Sequence, residues 1–315
     1  MKEGFIISAS PHVKSGMTVG SMMRGVLYAL IPTTIAAIYL FRIKAVILIL
    51  VCVVSSLLTE IVFQKLRHKK ISILDGSALV TGLLLALILP PGIPLGTAAL
   101  GAIIAIALGK QIFGGLGYNI FNPALVGRAF LMASFPVILT TWINPITLDA
   151  VTQATPLGLM KFQGVSTPVI NLILGQTAGS LGETSAIAIL LGGIFLLWKG
   201  YIDWRIPVGY ISTVFVIGEL IHILNPARFP SPLFQIFAGG LLFGAFFMAT
   251  DPVTSPITKK GRWIFGIGGG ILLIFIRIWG GLPEGVMYSI LLMNMTVPLI
   301  NRFTRPKPFG YRGRK

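Results

Sequence analysis

The sequence predicts an all-α integral membrane protein of about ten transmembrane helices in two inverted five-helix repeats. Three observations predict it: a composition poor in charge, apolar runs of membrane-crossing length, and landmarks that recur from one half to the other. Of 315 residues, 55% are hydrophobic and 11% charged, with a mean hydropathy of +0.88. Soluble domains carry about 25% charged residues. Apolar runs close to the ~20 residues that cross a bilayer recur along the length. A cleavable signal peptide is not expected, because the polar first 24 residues lead straight into successive apolar runs.

Reading the runs and their breakers gives spans near 25–41, 45–63, 75–90, 94–109, 122–140, 185–198, 206–223, 232–249, 262–280 and 284–300. Pro90-Pro91, Gly114-Gly115 and Gly280-Gly281 interrupt the pattern. Such breaks are tolerated at membrane depth where the freed backbone is buried in protein or lines a cavity. The corresponding organisation is a cytoplasmic segment 1–24, a first repeat 25–140, a loop 141–184, a second repeat 185–300 and a basic tail 301–315.

The net charge of +16 raises nucleic acid as a partner, and its placement argues against that. The basic residues sit in short loops and at the C-terminal end, where the orientation of spans is set. With both termini in the cytoplasm, nineteen Lys and Arg fall inside, Lys110 among them, and four (Arg42, Lys44, Lys161, Arg228) fall outside. This puts the 141–184 loop outside the cytoplasm. Cys52 is the only cysteine, so an internal disulfide, a Cys-rich zinc site or an iron–sulfur cluster is not expected. His12, His68 and His222 are too few for a dedicated transition-metal or haem site, and no metal site is predicted.

Landmarks of the first half return about 160 residues later. Glu60 near the end of one apolar run matches Glu219. Gly82 through Pro90-Pro91 matches Gly244 through Pro252, and Ile112-Phe113-Gly114-Gly115-Leu116 matches Ile278-Trp279-Gly280-Gly281-Leu282. Both halves continue into a helix bearing an asparagine, Asn122 and Asn294. Five helices separate equivalent points, and an odd number makes the repeats antiparallel, with any polar pathway near the bilayer middle. The plainer alternative is that Gly-Gly and Pro are common breakers in membrane helices.

Charged residues in or beside spans are costly, at least ~2.5–3.5 kcal/mol for a carboxylate at the bilayer centre. Glu60, Glu219, Asp75 and Asp251 read either as a pathway for a small cation or proton, or as local partners and caps. Asn122-Pro123 followed by Arg128 reads as an anion or carbonyl clamp at a helix N-terminus, fit for a flavin ring or phosphate. It reads equally as a capped helix with a snorkelling arginine. The glycine run at 266–270 lies in a span and reads as close helix packing. A strand-linked dinucleotide fingerprint is not found. The segment Asp149-Ala150-Val151-Thr152-Gln153-Ala154-Thr155-Pro156 reads, on composition alone, as a capped turn before proline.

Taken together these residues resemble the D subunits of Rnf complexes, membrane-bound ferredoxin:NAD oxidoreductases. They are similar too to the B subunits of sodium-pumping NADH:quinone oxidoreductases. The resemblance covers nearly the whole chain and is carried by Ser10 through Gly16, Asp75-Gly76-Ser77 through Leu85, Phe121-Asn122-Pro123-Ala124 and Met248-Ala249-Thr250-Asp251-Pro252-Val253-Thr254-Ser255-Pro256. The short N-terminal segment favours the Rnf relatives. The resemblance implies that Thr155 carries FMN through a phosphoester, with Asp149, Thr152 and Ala154 completing the recognition pattern and Gln153 standing where glycine is common. An extracytoplasmic flavin transferase would perform the attachment, for which the loop needs to be exposed.

The resemblance further implies electron transfer to flavin- and iron–sulfur-bearing partner subunits, with ferredoxin and NAD handled by those partners and Na⁺ or H⁺ moved across the lipid bilayer of a bacterial inner membrane. A second, non-covalent flavin, riboflavin, is compatible with it. A redox-free transporter or channel, and a scaffolding protein without cofactor, are the competing classes.

Overall fold

The computed structural model describes residues 18–69, 71–143, 155–175, 177–226 and 229–306. Its elements are α1 (Val19–Phe41), α2 (Ile43–Leu66), α3 (Ser77–Ile88), α4 (Leu95–Ile106), α5 (Pro123–Ser134), α6 (Pro136–Leu139), α7 (Pro156–Gln163), α8 (Val169–Leu174), α9 (Ala186–Trp198), α10 (Arg205–Leu224), α11 (Pro232–Phe237), α12 (Leu241–Phe243), α13 (Lys259–Trp279) and α14 (Val286–Thr304). Strands are absent among the described residues. Four helices, α1, α2, α10 and α13, are long and apolar enough to cross a membrane, and α3, α4, α5 and α9 are shorter apolar helices. Outward positions carry large apolar side chains such as Ile35, Leu50, Leu58, Leu191 and Phe275, the pattern of a bundle whose solvent is lipid.

The helices begin and stop for local reasons. Thr18 caps α1, exchanging hydrogen bonds with Ser21 in a capping box. The Asp75 carboxylate accepts from the Ser77 backbone and hydroxyl at the start of α3. Asn122 caps α5 through the backbone N–H groups of Ala124 and Leu125, with Pro123 in the first turn. The apolar run predicts that this helix reaches residue 140. It stops at Ser134, because Pro136 cannot supply its N–H and forces Phe135 out of helical geometry, and the chain resumes as α6.

The two halves repeat the same packing order. In the first, α2 packs on α3 and α4, and α4 on α5; in the second, α10 packs on α11 and α13, and α13 on α14. Across the halves the first helices pair (α1 with α9) and the last helices pair (α5 with α14), as a twofold relation generates. Gly192 permits the first of these pairings, since a Cβ there would run into the Ala29 carbonyl oxygen. At the second pairing the repeat-related asparagines meet: the Asn122 N–H donates to Asn294 Oδ1 at 3.3 Å.

The third element differs between halves. Hydropathy predicts 232–249 as one span, but α11 ends at Phe237 and α12 begins only at Leu241, continuing as a π-helical turn, Gly244–Met248. Gly239, at φ +70°, and Gly240 make this break. We expect Gly192→Ala to cost on the order of 1–3 kcal/mol by overpacking and to lower the thermal unfolding midpoint in detergent. Gly96→Ala, at a position facing open space, leaves that midpoint unchanged.

Candidate functional site

Broken helices leave carbonyls that lipid cannot satisfy, and here buried polar groups supply the donors. Pro90 and Pro91 lack N–H groups, so the end of α3 loses its donors; the Leu87 carbonyl instead accepts from the Gly182 N–H at 2.6 Å and that of Leu89 from Leu181 at 3.3 Å. At the α11 break, the Arg277 guanidinium donates to the carbonyls of Gln235 and Ala238 and to Gln235 Oε1. Lys161 on α7 does the same at the end of α13, its ammonium donating to the carbonyls of Arg277 at 2.7 Å, Leu282 at 3.2 Å, and Gly280. Partial burial pushes the Lys161 pKa down.

Thr155 sits at the start of α7. Its hydroxyl oxygen accepts the Gly158 N–H at 3.2 Å, the N-cap that a threonine before Pro156 predicts. The same residue lines a cavity of about 270 Å³ with Arg128, Met132, Trp142, Phe162, Glu284 and Tyr288. The sequence predicts an exposed acceptor; Thr155 is only 4% exposed and lies at the cavity wall. Asp149, Thr152 and Ala154 lie outside the described residues.

The residues around Thr155 suit the flavin that the resemblance implies. Three aromatic side chains and Met132 offer apolar walls to a planar ring, and a buried guanidinium supplies positive charge. Arg128 is not a bare clamp, though. Its Nη1 pairs with Glu183 at 3.3 Å and its Nη2 with Glu284 at 2.9 Å. Glu183 lies between α8 and α9. Burial pushes its carboxyl up to about 7, with the Glu284 charge adding to that and Arg128 pulling the other way. Ser180 favours the Glu183 anion from close by, although its hydroxyl makes no hydrogen bond of normal geometry.

Asn122, six residues from Arg128 on the same helix, faces elsewhere. It lines a second cavity, of about 60 Å³, with Ser77, Thr81, Lys110 and Asp251, on the order of a few water molecules. The single clamp expected from Asn122 and Arg128 is therefore two separate places. Asn122 Nδ2 donates to the Met248 carbonyl at 3.4 Å, and Asn294 Nδ2 to that of Thr254 at 3.0 Å.

Of the four carboxylates that the sequence offers as an ion path, three gather around that second cavity. Glu60 is buried and pairs with Lys110 at 2.7 Å; Gln64 and Gln111 donate to the same oxygen, and its Oε2 has no partner among the described residues. The Lys110 ammonium also donates to the Ser77 hydroxyl at 2.6 Å, and that hydroxyl donates to Asp75. Asp251 accepts from Val253 and Thr254. Glu219 is half-buried on α10, apart from the others. Lys110 is a correction to its expected place among the loop charges. It lies in the π-helical turn Ala107–Gln111 that ends α4, only 1% exposed. Glu183, Glu284 and Lys161 are site residues that the sequence does not single out, since each looks like an ordinary loop charge there.

The fold and these buried polar networks define a multi-helix membrane protein with a hydroxyl-bearing, aromatic-walled cavity. The chain belongs to the NQR2, RnfD, RnfE family, whose model matches residues 6–310. It is 47% identical, over 99% of its length and 98% of the relative, to the D subunit of the proton-translocating ferredoxin:NAD(+) oxidoreductase complex of Clostridium ljungdahlii. It is 45% identical, over 96% and 95%, to the D subunit of the Na(+)-translocating ferredoxin:NAD(+) oxidoreductase complex of Acetobacterium woodii. With the D subunit of an ion-translocating oxidoreductase complex of Stutzerimonas stutzeri it shares 40% over 94% of both chains.

Removing one partner of a buried pair costs ~3–5 kcal/mol. Lys110→Met should therefore destabilise the protein by about that amount in detergent unfolding, and Glu60→Gln added to it should recover most of the loss. Lys161→Met strands carbonyls at the end of α13 and should cost ~1–3 kcal/mol in the same assay.

Proposed function

We propose that this chain is the D-type membrane subunit of an ion-translocating ferredoxin:NAD oxidoreductase and carries FMN covalently on Thr155. The supporting observation is the position of Thr155: it lines an aromatic-walled cavity with Arg128, in a chain nearly half identical to such D subunits over almost its full length. With an ester on it, made by the transferase, the Thr155 oxygen would lack its proton and could still accept from Gly158. FMN, when bound, supplies transfer of one or two electrons. The chain's own residues would hold it and set its surroundings: Trp142, Phe162 and Tyr288 wall it from water, and Arg128 with its two carboxylates supplies the nearby charged groups. Lys161 ties the helix that follows Thr155 to the end of α13.

In this reading both termini are cytoplasmic and the Thr155 segment lies outside, within reach of a flavin transferase. Partner subunits bearing flavins and iron–sulfur clusters handle ferredoxin and NAD. Electron passage is coupled to movement of Na⁺ or H⁺, for which Glu60, Asp75 and Asp251 near the second cavity, and Glu219 on α10, are the carboxylates available.

The test is flavin fluorescence in a denaturing gel of protein purified from a host with a working flavin transferase, with intact mass measured alongside. Wild type and Thr155→Ser should give a fluorescent band and a mass gain of one FMN, and Thr155→Ala should give neither. A wild-type protein without adduct, yet moving solute when reconstituted alone, would instead make it a redox-free transporter.

A further inference from the structure

At the wall of the Thr155 cavity Arg128 serves two carboxylates, Glu284 of the same wall and Glu183 behind it, and the arrangement is incomplete. Glu183, with a side chain 4% exposed, and Glu284, at 17%, each give one oxygen to Arg128, itself 7% exposed. The other two oxygens, Glu183 Oε2 and Glu284 Oε1, are buried without a hydrogen-bond partner among the described residues. An orphaned buried acceptor costs ~1–3 kcal/mol and more when charged, and two anions sharing one site favour a proton on one of them. Arg128 cannot give up its proton, so the carboxyls are the groups able to change charge.

Among the described residues no second counter-ion touches the pair. From α13, Arg277 comes near: its Nη2 and Glu284 Oε1 would lie 3.6 and 3.8 Å from a Cβ on Gly239. It donates to the carbonyls of Gln235 and Ala238, its charge also acts on Glu284 and Glu183 without direct contact, and beyond it stands Tyr210 of α10. Lys161 of α7 is likewise committed to backbone carbonyls. The α11–α12 break presses from the other side, where a Cβ on Gly240 would meet Glu183 Oε1 at 2.5 Å. Close packing therefore surrounds the pair, while Glu284 and Arg128 open onto the cavity that Thr155 lines.

We propose that Glu183 and Glu284 form a redox-linked proton site: the pair takes up one proton when the group held on Thr155 gains one electron. This rests on the reading of Thr155 as flavin-bearing. The electron comes from a one-electron carrier of a partner protein in the complex. The proton comes from a hydronium ion, whose O–H bond breaks to leave water as a new O–H bond forms on Glu183 Oε2 or Glu284 Oε1. The added electron and the added proton cancel, so the charge of the enclosed cavity stays constant. When the electron leaves, the O–H bond breaks and the proton returns to water.

Two measurements on the purified complex test this. An infrared pH titration of wild type should reveal a protonated-carboxyl C=O stretch growing as pH falls through neutrality; Glu183→Gln should lose it. In a redox titration of the covalent flavin, the wild-type midpoint should fall as pH rises across the same range, and the variant's should not. Glu284→Gln is to be run alongside, with the same losses expected, so that a failure of either variant to assemble leaves a decisive comparison. In-gel flavin fluorescence on the same samples separates the two readings. A fluorescent band with pH dependence identical in wild type and variants overturns the proton site alone. A missing band overturns the reading of Thr155 and the redox coupling with it.

Discussion

Backbone groups in an apolar bundle must find partners inside the protein, and the rest of this structure depends on how that demand is met. A continuous helix satisfies itself; an interrupted one exposes carbonyls that lipid cannot solvate. The chain interrupts its helices at Pro90-Pro91, at Gly239-Gly240 and at Gly280-Gly281. Each interruption is met by a donor from a distant part of the sequence: the N–H groups of Leu181 and Gly182, the guanidinium of Arg277, the ammonium of Lys161. Basic residues in the bundle are thus structural before they are anything else.

Such basic groups bring charge with them, and the two halves of the molecule balance it differently. In the first repeat Lys110 is matched by Glu60 within the same repeat, one cation to one anion. Where α5 meets the second repeat, Arg128 is matched by two anions from sequence-distant segments, and Arg277 donates to carbonyls while its charge also acts on those two anions. A twofold plan of helices therefore carries different ion pairs in its two halves, Lys110 with Glu60 near one cavity and Arg128 with Glu183 and Glu284 near the other. Both cavities have carboxylate oxygens nearby without a hydrogen-bond partner among the described residues: Glu60 Oε2 at one, Glu183 Oε2 and Glu284 Oε1 at the other.

Much of the fold is legible in the sequence because hydropathy and breakers act locally. The runs at 45–63 and 206–223 correspond to α2 and α10, and Pro90-Pro91 and Gly280-Gly281 end helices as such pairs do. The break at Gly239-Gly240 is hidden by apolar neighbours on both sides, since glycine pairs are also common where helices pack closely. Asn122 and Thr155 are recognisable as caps from the prolines that follow them. The partners of Arg128 are not: Glu183 and Glu284 are separated by about a hundred residues and carry no local pattern, so only folding brings them together. Lys110 looks like a stop after an apolar run because burial of a lysine depends on a carboxylate fifty residues away.

The grip of Lys161 on the end of α13 has a mechanical meaning. An ammonium has three N–H bonds, and here three carbonyls, those of Arg277, Gly280 and Leu282, receive them. The short helix α7 cannot slide or roll without releasing those contacts, so it and the tip of α13 travel as one rigid piece. Any rearrangement between the repeats must then take place at joints other than this one.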